Sequence, residues 1–169
     1  MPSAPAVNLA AATLGKDFLT LQEERVRQYK ALNDAHKAYL TTGKSGGQYD
    51  IATYQATVSK VTDMFKTISQ TVIKMRTTFE EEHKDVNMAN FLAKVQKLEE
   101  KKLKFTVDYQ LALQQMQDEP GDELCERNAK GLKTGIDSTV EEINEVLEEI
   151  RYHIADLKGD DDGEDEPQN

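Results

Sequence analysis

Residues 51–79 read IATYQATVSKVTDMFKTISQTVIKMRTTF, and this stretch decides the fold. Its apolar side chains Ile51, Tyr54, Val58, Val61, Phe65, Ile68, Val72, Met75 and Phe79 recur at alternating steps of three and four without a gap. A repeat of about 3.5 residues held over about four heptads lays one stripe along an α-helix, and another helix must cover that stripe. Asp50 stands just before it, where a carboxylate accepts the free N–H groups of a first helical turn. At the other end, Glu80-Glu81-Glu82 puts negative charge where the helix dipole disfavours it, so a break is expected between His83 and Asn87.

Upstream, a first helical stripe starts at Leu14 and continues through Phe18, Leu21, Leu32, Ala35 and Tyr39, with Arg25 and Gln28 interrupting it. It stops at Thr41-Thr42-Gly43, and Lys44-Ser45-Gly46-Gly47 reads as a loop. Downstream, Asn87 is the expected cap of a third helix, whose stripe is Met88, Phe91, Val95, Leu98, Phe105, Tyr109, Ala112 and Met116, with Lys102 the charged intruder. Pro120 marks a turn at 118–122, since proline breaks a helix interior. A fourth helix follows from Asp122 or Glu123 to Lys158, with the stripe Ile136, Val140, Ile143, Leu147, Ile150, Ile154 and Leu157, and Gly131 and Gly135 weaken its start.

The expected fold is therefore all-α: an antiparallel up-down four-helix bundle, or paired long helical hairpins that assemble with another chain. Residues 13–158 form the helical domain, with a disordered segment at 1–12 and an acidic disordered tail at 159–169.

Composition narrows the function. Charged residues make up 31% and aromatics 7%, with no Trp, which favours long helices over sheets. No stretch approaches the roughly 18–20 apolar residues of a membrane span. The net charge is −10, but six of the acids lie in 159–166, so the rest is only mildly acidic. Tight duplex binding needs concentrated Lys and Arg, which the chain as a whole does not offer. A single cysteine, Cys125, and an N-terminus without a secretory pattern fit an intracellular reducing compartment.

No group of residues in the sequence carries a recognisable chemistry. Ala38–Ser45 ends in Gly43-Lys44-Ser45, but Ala38 stands where a P-loop needs its first glycine, and the segment closes a helix instead of leaving a strand. His36, His83 and His153 lack metal-ligand spacing; Glu80 and His83 form one Glu-x-x-His without a second, and solvated surface is the better reading. Positive charge gathers only at Lys94, Lys97, Lys101, Lys102 and Lys104, where a solvated face outweighs a weak acidic or nucleic-acid contact. No enzyme activity, cofactor or metal is expected.

One stretch carries more than periodicity. Leu21-Gln22-Glu23-Glu24-Arg25, Tyr29, Leu32, His36, Tyr39-Leu40, Gly43, Tyr49-Asp50, Tyr54, Val58, Val61-Thr62 and Phe65 form a spaced signature that resembles the required-for-excision DNA-repair proteins of the B type. Leu98-Glu99, Leu103, Glu145-Val146-Leu147 and Ile150-Arg151 look like that family's C-terminal half, so the resemblance covers residues 14–157. It implies a role in excision repair of DNA damage, a nuclear location and protein partners in a repair complex. The family brings no established catalytic residues. A long helix with polar residues in its stripe often specifies a partner, so Arg25, Gln28, Tyr39, Tyr49, Asp50 and Tyr54 are the candidate docking residues. The weak basic patch is Lys94, Lys97, Lys101 and Lys104. The competing readings are a coiled-coil subunit of a cytoskeletal or other assembly, and a weak nucleic-acid binder through those lysines.

Overall fold

The computed structural model describes residues 7–159. Four α-helices account for nearly all of them: α1 (Leu9–Thr42), α2 (Ile51–Glu81), α3 (Val86–Asp118) and α4 (Glu123–Lys158), with one 3-10 turn at Lys44–Gly46. Each α-helix opens on an Asn or Asp whose side chain accepts a backbone N–H of the first turn. Asn8 takes that of Ala11 at 3.0 Å, Asp50 that of Thr53 at 3.2 Å, Asp85 that of Met88 at 3.0 Å, and Asp122 that of Leu124 at 2.9 Å. Such caps satisfy donors that the helix cannot pair internally.

Two boundaries differ from the sequence reading. Residues 9–12, assigned above to a disordered segment, are helical: Asn8 caps them, its own N–H donates to the Leu157 carbonyl at 2.7 Å, and Ala11 and Ala12 are buried. The cap of α3 is Asp85 and not Asn87, because α2 closes a residue or two earlier than the acidic run suggests. Lys84 takes a left-handed φ of 52°, and the Asp85 N–H turns back to the Phe79 carbonyl at 2.8 Å. Gly131 and Gly135 do not interrupt α4, which is continuous over 36 residues. The expected disorder of residues 1–6 and of the tail at 160–169 lies outside the described residues.

The helices run up, down, up, down. Each packs on its chain neighbours, and α1 closes the ring against α4. The apolar core fills the lower half, where α1 begins and α4 ends. Phe18, Ile68, Val72, Phe79, Met88, Leu92, Val95, Val146 and Ile150 meet there almost without exposure. At Gly15 the backbone of α1 comes so close that an added Cβ would stand 2.7 Å from Ile154 Cγ1 on α4. Burying such side chains is worth roughly 1.5–3 kcal/mol each, which makes this half the anchor of the bundle.

The upper half is built differently. The buried stripe of α1 proves to be Phe18, Gln22, Arg25, Tyr29, Leu32, His36 and Tyr39. Arg25 therefore does not interrupt the stripe but belongs to it; Leu21 and Ala35, expected there, are half-buried. On α3 the buried positions past Leu98 are Glu99, Thr106, Gln110 and Ala112, whereas Phe105 and Tyr109, expected in the core, are half-buried. Polar side chains from these stripes join α1 to α3 across the diagonal. Gln22 Nε2 donates to Glu99 Oε1 at 2.5 Å, Gln110 Nε2 to Asn33 Oδ1 at 3.2 Å, Tyr39 Oη to Gln114 Oε1 at 3.2 Å, and Gln117 Nε2 to the Leu40 carbonyl at 2.8 Å. The Gln22–Glu99 rung is buried and the others are part-buried, so the ladder favours one register, because a slip strands the buried donor and acceptor.

Candidate functional site

Over this ladder α2 and α3 stand apart, and a groove opens between them. Its upper part, about 360 Å³, runs along Ile51–Phe65 of α2 and Leu103–Gln114 of α3, with Leu32, His36 and Tyr39 of α1 as the floor. No Asp, Glu, Lys or Arg side chain lines it, and burial favours the neutral form of His36. Ile51, Val107 and Leu111 border it at 51%, 47% and 57% exposure. The lower part, about 430 Å³, shares Phe65 and Leu103 with the upper and continues past Ser69, Ile73 and Arg76 on one wall and Gln96 and Lys97 on the other.

Arg25 forms the floor of the lower part at 3% exposure. Its guanidinium donates to Gln22 Oε1 at 3.0 Å, to Ser69 Oγ at 3.4 Å and to Gln96 Oε1, all neutral acceptors. Burial pulls the Arg25 pKa down, and the nearby charge of Glu99 opposes that. Glu99 touches Arg25 only through Gln22, and its Oε2 is buried with no hydrogen-bond partner. Lys102 completes the cluster: its ammonium sits 3.9 Å from the Tyr29 ring centroid, a cation–π contact. Burial lowers the Lys102 pKa against the pull of Glu99, and burial raises that of Tyr29.

Three of the six docking candidates line the groove: Arg25 below, Tyr39 and Tyr54 above. Tyr39 is stacked between Tyr49 and Tyr54, with both ring centroids 4.8 Å away. The hydroxyls are already engaged, since Tyr54 donates to Gln110 at 2.5 Å and Tyr49 to Asp118 at 2.5 Å. That bond to Asp118 raises the Tyr49 pKa, and burial raises that of Tyr54. Gly43 makes room for the stack, because a Cβ there would overlap the Tyr49 ring. Asp50 is an exposed helix cap whose carboxylate is held below its ordinary pKa by the Thr53 hydroxyl and N–H. Gln28 donates to Glu24 at 2.8 Å and does not line the groove. Lys94, Lys97, Lys101 and Lys104 are all exposed at steps of three and four on α3, and Lys97 reaches the groove rim.

The sequence reading missed Ser69, Ile73, Gln96, Val107 and Leu111. Val107 and Leu111 lie four residues apart outside the expected stripe, which is the one signal they carried. It also missed a histidine–carboxylate pair: His153 Nε2 lies 2.6 Å from Asp85 Oδ2, joining α4 to the start of α3. His83 meets the Asn8 amide at 3.1 Å. Burial and the carboxylates of Asp122 and Glu119 hold the Cys125 pKa above the ordinary thiol value, which disfavours a reactive thiolate.

The family model described as DNA repair REX1-B matches residues 13–113. The chain belongs to the DNA repair REX1-B family. The match takes in nearly all of α1, all of α2 and α3 as far as Leu113, which includes both walls of the groove. Among REX1-B relatives, the mouse (Mus musculus) protein called Required for excision 1-B domain-containing protein is 30% identical over 142 residues, covering 83% of this chain and 79% of its own length. The cattle (Bos taurus) protein of the same name is 30% identical over 136 residues, covering 78% and 70%. No solved structure matches this REX1-B chain significantly. Among its described residues no helix is long and apolar enough to cross a membrane.

Proposed function

We propose that the chain is a non-catalytic helical adaptor in excision repair of DNA damage, acting in the nucleus by seating a protein partner on the α2–α3 groove. Family membership supports the repair role. The observation that carries the adaptor reading is the unpaired apolar border formed by Ile51, Val107 and Leu111, three large side chains left about half in water along one groove. Contiguous apolar surface of this kind is costly in water and marks a binding surface. The polar groups around it hold one another and the helix register, and this arrangement suits recognition.

Affinity purification of the intact protein from ultraviolet-irradiated cells tests the reading. The wild type is expected to recover subunits of a repair complex, and Leu111→Asp, in a chain of unchanged helical circular dichroism, is expected to lose them. Recovery of cytoskeletal subunits instead would assign the chain to a structural assembly. Binding of labelled duplex at low salt that survives Leu111→Asp and vanishes on charge reversal of Lys94, Lys97, Lys101 and Lys104 would make it a nucleic-acid binder.

A further inference from the structure

A second cavity, of about 430 Å³, lies in the seam of α1, α3 and α4, on the far side of the polar ladder from the groove. Its walls hold more free donors than free acceptors. Lys102 is half-buried, and its ammonium lies over the Tyr29 ring with no hydrogen-bond or ion-pair partner among the described residues. Burial opposes that charge, and an anion in the cavity would relieve the cost. Asn33 takes the Gln110 amide on its Oδ1 at 3.2 Å, which leaves its Nδ2 as a donor. The Tyr109 hydroxyl is likewise uncommitted among the described residues, and Lys37 adds a second ammonium. The carboxylate and amide oxygens of the lining are taken: Lys133 holds Asp137 at 2.8 Å, and the Tyr54 hydroxyl donates to Gln110 Oε1 at 2.5 Å. Glu99 lies outside this lining, with its Oε1 bound to Gln22, and its charge favours the charged form of Lys102.

We propose that this cavity binds a small phosphate monoester, its oxygens received by Lys102, Lys37, Asn33 and Tyr109 and its organic group lying on Leu113, Ile136 and Val140. The donor set selects the ligand, and the net charge of a helix does not. Asn33 and Lys37 stand four residues apart on α1, and Lys102 and Tyr109 seven apart on α3, so each pair shares one face of its helix. Two facing pairs of donors match a group with three terminal oxygens and a charge of about −2 better than a carboxylate with two oxygens and a single charge. A metal ion is a poor occupant, because Asp137, the one carboxylate of the lining, is already held by Lys133. The site is separate from the partner seat proposed above and shares only Tyr29, His36 and Gln110 with the groove.

Isothermal titration calorimetry of the intact protein at low salt, with phenyl phosphate, inorganic phosphate and benzoate as probes, tests the site. Phenyl phosphate is expected to saturate a single site, with inorganic phosphate and benzoate each at least about fivefold weaker. Lys102→Met, which keeps the length of the side chain and removes its charge, is expected to weaken phenyl phosphate about tenfold or more. Lys104→Gln, an exposed lysine of α3 outside the cavity, is expected to leave the affinity unchanged. Should Lys102→Met lose its helical circular dichroism, Asn33→Ala with Lys37→Gln changes only exposed residues and is expected to show the same loss. The proposal is overturned by the absence of saturable binding at millimolar phenyl phosphate, or by an affinity that neither cavity variant moves. Equal weakening by Lys104→Gln would reduce the binding to diffuse attraction and also overturns it. Benzoate binding as tightly as phenyl phosphate would replace the phosphate by a carboxylate, and phenyl phosphate displaced by short DNA duplex would give the site to a nucleic-acid backbone; either result overturns the assignment.

Discussion

Replacing Arg25 by Met removes a guanidinium that is 97% buried, and the cost can be worked from what it leaves behind. Ser69 and Gln96 border the open groove, so water replaces the donor they lose. Gln22 is 5% exposed and its Oε1 is left unpaired, at about 1–3 kcal/mol. Glu99, 7% exposed, also loses the nearest compensating charge. Together these come to about 3 kcal/mol, which for a chain of this length lowers Tm by roughly 6–12 °C. Glu99→Met strands the Gln22 amide N–H and leaves Arg25 without its counter-charge, at a similar cost. The combination Gln22→Leu, Arg25→Met, Glu99→Met removes every stranded group at once. An apolar replacement of a whole buried charge cluster is often neutral or stabilising, so the triple variant is expected within about 1 kcal/mol of wild type. Urea unfolding followed by circular dichroism at 222 nm measures all three. If the losses simply add, the residues are independent and the reasoning from a shared network is wrong.

Gly131 lies on an exposed face of α4 with open space where a Cβ would go, so Gly131→Ala should stabilise the chain by about 1 kcal/mol and raise Tm by roughly 2–4 °C in calorimetry. Gly15→Val should cost about 1–3 kcal/mol in the same measurement, since its side chain must enter space held by Ile154 and Met88. His36 is held by burial below its ordinary value of 6.5, so above that pH it is neutral in both states and carries no penalty. As pH falls through 6.5 the unfolded chain takes up the proton first, and stability drops until the folded value is passed. His36→Phe should therefore flatten the urea midpoint between about pH 7 and about pH 5; an unchanged slope counts against this assignment. Gly43→Ala should break the tyrosine stack and reduce the near-ultraviolet dichroism while leaving the helical signal intact.

The helices were legible because their evidence is local. The α2 stripe from Val61 to Phe79 is buried or half-buried throughout, Asp50 caps as its position suggests, and α4 starts at Glu123, one of the two expected starts. What the sequence concealed depends on which helix meets which. Arg25 looks like a break in an apolar stripe and Gln22 lies outside the expected one, and only the arrival of Gln96 and Glu99 from a helix about 70 residues later makes both members of the buried stripe. On α3, Leu98-Glu99 and Phe105-Thr106 each offer an apolar and a polar neighbour, and the apolar one was assigned to the core. The structure buries Glu99 beside Leu98 because Gln22 of α1 meets its carboxylate, and buries Thr106 because its hydroxyl donates to the Lys102 carbonyl one turn back on α3. Of the docking candidates, Tyr39 and Tyr54 could be placed near one end from the loop that joins their helices, but the groove they floor has no sequence signature. It is a space between two helices, and periodicity describes only one helix at a time.

The polar stripe and the groove are one feature seen from two sides. In a four-helix ring both diagonals cannot be short. Here Gln22–Glu99, Asn33–Gln110 and Tyr39–Gln114 draw α1 and α3 together, and α2 and α4 approach each other less closely. In the lower half Ile68, Val72 and Phe79 of α2 reach the core, so the gap there is confined to the outer side past Ser69, Ile73 and Arg76. Above Phe65, α2 presents Val58 and Tyr54 to a diagonal pair already satisfied by its own hydrogen bonds, and Ile51 remains half in water. Polar residues that fix the register of α1 on α3 thus leave α2 short of a partner. Replacing them by apolar ones should therefore do more than change stability: with the diagonal no longer held by hydrogen bonds, α2 can settle inward, and the triple variant at 22, 25 and 99 should bind groove-directed peptides less well even where it unfolds no more readily than wild type.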